Sequence, residues 1–185
     1  PLENGKIVIS RANRTLTFPA RFQLIAAMNP CPCGYFGDAS GRCRCTQDQI
    51  RRYQGQTSGP LLDRIDLHID VPPISPSTLQ KTPESENSAA VQARVVKARN
   101  RQLERQGCIN AELSPKLREQ VCSLSDDDER WFLNAIERLD LSARGFHRLL
   151  KISRTIADLD GKQSIERRHL LEALSYRALD RYQAS

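Results

Sequence analysis

"FQLIAAMNPCPCGYFGDASGRCRC", residues 22–45, joins a short apolar run to an Asn-Pro pair and then to a cluster of four cysteines. An apolar run of this length before a turn signal reads as a buried strand. Asn29 at its exit would aim an amide beyond the sheet edge, where ligands sit in open α/β sheets. Asn29 and Pro30 also suit a plain turn, and these residues alone leave both readings open. The cysteines are Cys31, Cys33, Cys43 and Cys45, in the pattern C-x-C-x9-C-x-C. Four thiolates on a Gly- and Ser-containing loop can surround Zn2+ tetrahedrally, and four sulfurs leave no open position for water, so such an ion would be structural. The usual knuckle is C-x2-C; the tighter pair here also admits a loop of free thiols.

Upstream, "KIVIS" and "TLTFPA" alternate Ile7, Ile9, Leu16 and Phe18 with polar or smaller neighbours around "RANR", which predicts a β-hairpin. Arg11 and Arg14 fall at its tip, where they suit solvation or contact with a nucleic-acid backbone. "DLHIDV", residues 66–71, is a second candidate strand. Residues 1–71 thus form a first block, and residues 72–87, rich in Pro and Ser, form an exposed linker.

Residues 88–185 read as helical throughout. The first helix carries Val91, Val95 and Val96 on one face. Pro115 suits the first turn of a short helix, and Ser125 suits an N-cap followed by acids. Phe132, Ala135, Ile136 and Leu139 share a face, as do Phe146, Leu149, Leu150, Ile156 and Leu159. Gly161 ends that second helix, and Leu170, Leu171 and Leu174 turn inward on the last. Cys108 and Cys122 read as buried small residues. The fold class is α+β.

The 185 residues carry a net charge of +6, with a pI near 9.2. A basic balance suits a polyanion such as nucleic acid, and equally a solvated surface. There is no signal-peptide pattern and no apolar run of membrane-spanning length. The expectation is therefore a cytoplasmic chain without a membrane partner. The opening "PLENGKIVIS" has no initiator Met and reads as the interior of a longer protein.

Two arginines stand out. Arg64 lies between Asp63 and Asp66 ahead of the candidate strand, as a surface ion-pair cluster or as a cation presented to an anion on a neighbouring molecule. Arg144 sits in the first turn of a helix capped by Ser142, where a cation opposes the helix dipole; it would make sense facing phosphate. No G-x-x-x-x-G-K-[ST] occurs, and no four hydrophobic residues precede an Asp-Glu pair. The chain is not expected to bind and hydrolyse a nucleoside triphosphate unaided.

Taken in order, "PLENGKIVISRA", "FPARFQLIAAMNPCPCGYFGD", "SGPLLDRIDLHIDV" and "LSARGFHRLLKISRTIADLDG" closely resemble the C-terminal part of magnesium-chelatase-like AAA+ ATPases of the bacterial YifB/ComM type. The resemblance implies part of an AAA+ α/β core over residues 1–71 and an all-α lid over residues 88–185. Residues 6–18 resemble the pre-sensor-1 hairpin, Asn29 sensor 1, Arg64 the arginine finger donated in trans, and Arg144 sensor 2. It implies ATP and Mg2+ as cofactors of the full-length protein, with Walker motifs upstream. It also implies a homo-hexameric ring acting on DNA in recombination or natural transformation. A zinc-stapled nucleic-acid-binding or adaptor module, and a chelatase-type subunit that remodels a protein partner, remain alternatives.

Overall fold

A computed structural model describes residues 5–12, 14–38, 40–72 and 86–177. Most of the expected linker, residues 73–85, lies outside the described residues, as does Asn13 at the hairpin tip. The chain divides into two compact units, residues 1–65 and 66–185.

In the first unit β1 (Lys6–Arg11) pairs antiparallel with β2 (Arg14–Pro19), placing Ile7 opposite Phe18, Ile9 opposite Leu16 and Arg11 opposite Arg14. The β-branched and aromatic residues that predict the hairpin therefore meet as cross-strand pairs. Residues 22–28, expected as a buried strand, join no ladder, and β1 with β2 is the only sheet among the described residues. The reason is physical: a strand needs a hydrogen-bonded neighbour, and an apolar run needs a face to bury. Here Phe22, Leu24, Ile25 and Met28 are exposed, Ile25 to 84%. The second candidate strand, residues 66–71, belongs to the second unit and contributes, among the described residues, one isolated bridge, His68 with Arg177. Two short helices complete the first unit, α1 (Gln47–Gln54) and α2 (Gly59–Leu62). A capping box starts α1: Thr46 accepts from the Gln49 backbone N–H, and the Gln49 side chain accepts from that of Thr46.

The second unit holds α3 (Ser88–Gln106), a 3-10 turn (Asn110–Glu112), α4 (Pro115–Val121), α5 (Asp126–Arg138), α6 (Ala143–Leu159) and α7 (Arg167–Ser175). The chain is thus α+β, mostly helical. Side chains of Asn87, Ser114, Ser125 and Ser142 each accept a backbone N–H three residues on, so α3 to α6 all start on a side-chain cap. Phe132, Ile136, Leu149, Leu150, Leu170 and Leu174 meet in one apolar core, with Cys122 inside it and Cys108 packed against it. Three expectations shift. Val91, Val95 and Val96 are exposed, while α3 buries Ala98 and Gln102. Leu159 and Leu171 also face outward.

The shift has a polar cause. Along its second half α6 buries Ser153, Arg154, Ala157 and Asp158. The Asp158 carboxylate accepts from Arg105 of α3 at 2.5 and 3.0 Å, from Arg154 at 2.9 Å and from the Asn110 amide at 2.8 Å. Arg154, 1% exposed, also donates to the carbonyls of Lys162 and Gln163, both at 2.6 Å. Those carbonyls lie just past a helix end closed by Gly161, whose φ of 77° takes the left-handed region. There Gly161 N–H donates to Asp158 and Lys162 N–H to Ala157, a Schellman closure.

Burial alone would raise the Asp158 pKa, but the hydrogen bonds from Arg105 and Asn110 and the Arg154 charge outweigh it and hold the carboxyl below its usual range. A depressed folded pKa gives stability that is complete above the ordinary carboxylate value and is lost as pH falls through the folded one. Asp158→Asn is expected to cost about 3–5 kcal/mol at neutral pH by stranding the buried Arg154 guanidinium and releasing Arg105. Urea denaturation should also show its stability falling less steeply on the acid side than that of the parent chain.

Candidate functional site: a four-cysteine centre beside Asn29

The loop after Asn29 folds back on itself through short turns. Gly34 N–H donates to the Cys31 carbonyl at 3.0 Å, and Gly34 takes a φ of 80°, a left-handed turn that places Cys33 beside Cys31. Asp38 then caps the next turn, accepting from the Ser40 N–H at 2.8 Å and from Arg42 at 3.1 Å. The Ser40 backbone N–H is the main reason that the Asp38 carboxyl sits below its usual range. The Arg42 guanidinium lies over the Tyr35 ring, 4.5 Å from its centroid.

These turns bring all four cysteine sulfurs within 4.8 Å of one another. Cys31 Sγ lies 3.3 Å from Cys33 Sγ and 3.8 Å from Cys43 Sγ, and Cys33 Sγ lies 3.6 Å from Cys43 Sγ. None of the four is in a disulfide. A zinc–sulfur bond of about 2.3 Å requires about 3.8 Å between sulfurs at the corners of a tetrahedron. The donor set therefore fits a tetrahedral thiophilic ion in number, chemistry and spacing.

The electrostatics fit as well. Backbone N–H groups of Tyr35 and Arg44 point at Cys33 and draw its pKa down to about 6. The hydrogen bond with Cys33 is the main cause that pushes Cys45 up to about 12. Thiols this close cannot all ionise in each other's company; a divalent cation among them removes that conflict.

The segment on either side of Asn29 is held from α1 and the turn after it. Gln54 donates its amide to the Pro30 carbonyl at 3.0 Å, and the Thr57 hydroxyl lies 3.7 Å from the Met28 sulfur. Asn29 itself is exposed, with Cys31 buried two residues on. Arg64, half-buried in the turn after α2, donates to the Pro60 carbonyl at 2.6 Å. Arg11 and Arg14 face each other as exposed partners at the closed end of the hairpin. In the second unit Arg144 is exposed in the first turn of α6. One turn further Arg148 binds the Asp66 carboxylate at 2.7 Å. The structure thus gathers the four cysteines, Asn29 and α1 into one neighbourhood.

Sequence reading missed α1, and with it Gln54 and Thr57. The helix buries only Ile50, so no apolar period announces it. The signal that could have found it is the Thr46-x-x-Gln49 capping box directly after Cys45.

Residues 85–177 match the family described as magnesium chelatase, subunit ChlI C-terminal, and residues 1–79 match magnesium chelatase, subunit ChlI. The chain is 50% identical over 182 residues to Competence protein ComM of Haemophilus influenzae. It is 48% identical over 183 residues to YifB of Escherichia coli, and 46% over 182 residues to YifB of Salmonella typhimurium. Each match covers 98% of this chain but only 35–36% of the relative, so the chain spans about a third of the length of the curated relatives it matches.

Under reducing conditions the four sulfurs are expected to bind about one equivalent of Co2+ with tetrahedral absorption bands and thiolate charge transfer. Cys33→Ser and Cys45→Ser should each weaken that uptake. Uptake below about a tenth of an equivalent would show that the cluster is not a metal centre.

Proposed function

The chain belongs to the magnesium chelatase subunit ChlI family, and from that membership we propose that it is the C-terminal portion of a ring-forming AAA+ ATPase acting on DNA. The work coupled to ATP hydrolysis is DNA remodelling, as a helicase or branch-migration motor in recombination or natural transformation. The observation that carries this reading is the match to a competence protein along 98% of the chain. ATP and Mg2+ would supply the phosphoryl chemistry, bound chiefly by residues of the full-length protein that this chain does not include.

Within that reading each candidate residue has a task. Asn29 orients the attacking water, and the hold on Met28 and Pro30 keeps its backbone in place. Arg64 reaches the nucleotide of the neighbouring subunit and neutralises charge that develops in the transition state. Arg144 couples the helical lid to the same nucleotide state. Cys31, Cys33, Cys43 and Cys45 hold a structural Zn2+ that braces the path from Asn29 towards Arg64. Arg11 and Arg14 contact the DNA backbone, and the ring is a homo-hexamer. The family description favours a second reading, a chelatase-type subunit that remodels a protein partner. The two part on whether DNA stimulates the ATPase.

In the full-length protein Arg64→Ala is expected to lower ATP turnover by about 10^3-fold or more with nucleotide binding retained. Normal turnover would remove Arg64 from this role. Reversing charge with Arg11→Glu and Arg14→Glu should abolish DNA stimulation and spare basal turnover; unchanged stimulation would exclude the hairpin as the DNA contact.

A further inference from the structure

Both units hold paired and unpaired guanidiniums among the described residues; residues 40–56 differ in having a run of arginines with almost no acid beside it. In the second unit Arg94, Arg105, Arg130, Arg148, Arg154, Arg167 and Arg168 all stand in ion pairs. In the first, among the described residues, the guanidiniums of Arg44, Arg51 and Arg52 have no such partner. Residues 40–56 hold four arginines against one acid, Asp48. Arg42 is already engaged by Asp38, so the spare charge gathers on Arg44, Arg51 and Arg52.

Beside that charge lies a cavity of about 390 Å3 between the cysteine loop and α1, lined by Pro32, Cys45, Gln49, Arg52, Tyr53 and Gln56. Gln49, Arg52, Tyr53 and Gln56 recur at i, i+3, i+4 and i+7, so they share one side of α1 and its exit, whereas Ile50 is buried. An aromatic ring, a proline, two amides and a guanidinium around an open cavity form an unusual combination. The ring and proline offer a flat apolar surface, the amides read a polar edge, and the cation meets a phosphate. The cavity's lining suits one unstacked nucleobase.

We propose that the cysteine loop and α1 form a binding site for single-stranded nucleic acid, with one base stacked on Tyr53 and the adjoining phosphates on Arg52 and Arg44; Arg51 lies on the opposite side of α1 and takes no part. The site rests on the reading of the protein as one that acts on DNA, but it is a different surface from the hairpin arginines. A zinc–tetrathiolate centre carries about two negative charges, so the phosphates run along the α1 side and the base edge faces the sulfurs. Cys45 and Cys33 line one wall of the site, so an ion held by the four cysteines would set the shape of that wall.

Fluorescence anisotropy of the whole zinc-loaded chain with a fluorescein-labelled oligo(dT), repeated across a KCl series, tests this. Arg52→Gln is expected to flatten the log–log salt slope by about 0.7, the loss of one phosphate contact on a single strand, and Arg51→Gln, on the far side of α1, to leave it closer to the parent value. Tyr53→Leu should weaken binding about tenfold, and Tyr53→Phe should restore it, since stacking needs the ring and not the hydroxyl. A duplex of the same length should bind more weakly than the single strand. Metal content and circular dichroism of each variant report folding independently, and the arginine variants sit on exposed positions. Parent-like binding by the Arg52→Gln and Tyr53→Leu variants, with loss in Arg11→Gln/Arg14→Gln, would overturn the site while leaving the DNA reading intact. Failure of the parent chain to bind the oligonucleotide would overturn the site, and ATPase stimulation of the full-length protein by DNA would then decide the broader reading separately.

Discussion

A carboxylate cannot be taken out of water alone, and the helical unit is organised around that constraint. Asp158 is 1% exposed and must find compensation from its surroundings. Arg105 reaches it from α3, Asn110 from the 3-10 turn and Arg154 from one turn earlier on α6. Each partner in turn fixes something else: Asn110 accepts from Gln106 and donates to Thr155, and Arg154 collects the carbonyls of Lys162 and Gln163. The apolar core of α5, α6 and α7 supplies most of the hydrophobic driving force. The polar network decides which face of α3 meets α6 and how the chain leaves α6 for α7.

That division explains what could be read from the sequence. Helix starts were legible because their signals are local: Pro115 suits a first turn, and Ser125 and Ser142 need only the N–H groups three residues on. The hairpin was legible because its alternation is local too. The inward face of α6 was legible through Leu149 and Leu150 but not beyond, since from Ser153 onward three of the four buried positions, Ser153, Arg154 and Asp158, are polar and periodicity of apolar residues points instead to Leu159. The valines of α3 misled for the same reason. Residues 22–28 and 66–71 have the composition of strands, yet strand formation depends on partners that no single segment encodes.

The candidate site shows the same contrast at smaller scale. Spacing alone left the cysteines as metal ligands or free thiols, because C-x-C says nothing about how far the second pair lies from the first. Folding closes that distance through the left-handed turn at Gly34 and the Asp38 cap, and the four sulfurs converge. Gln54 and Thr57 carry the effect back to the residues flanking Asn29. A short polar helix with one buried side chain is thus a structural link between the cluster and an asparagine that the sequence presents only as a turn marker.

The unpaired run at residues 22–28 bears on handling. Backbone without ladder partners, beside exposed Phe22, Leu24, Ile25 and Met28, has the character of a self-pairing edge. Its ordering with a second copy needs no unfolding of the helical unit. Association of the purified chain through this run would leave the helical unit folded, so additives that raise its melting temperature would not suppress such association.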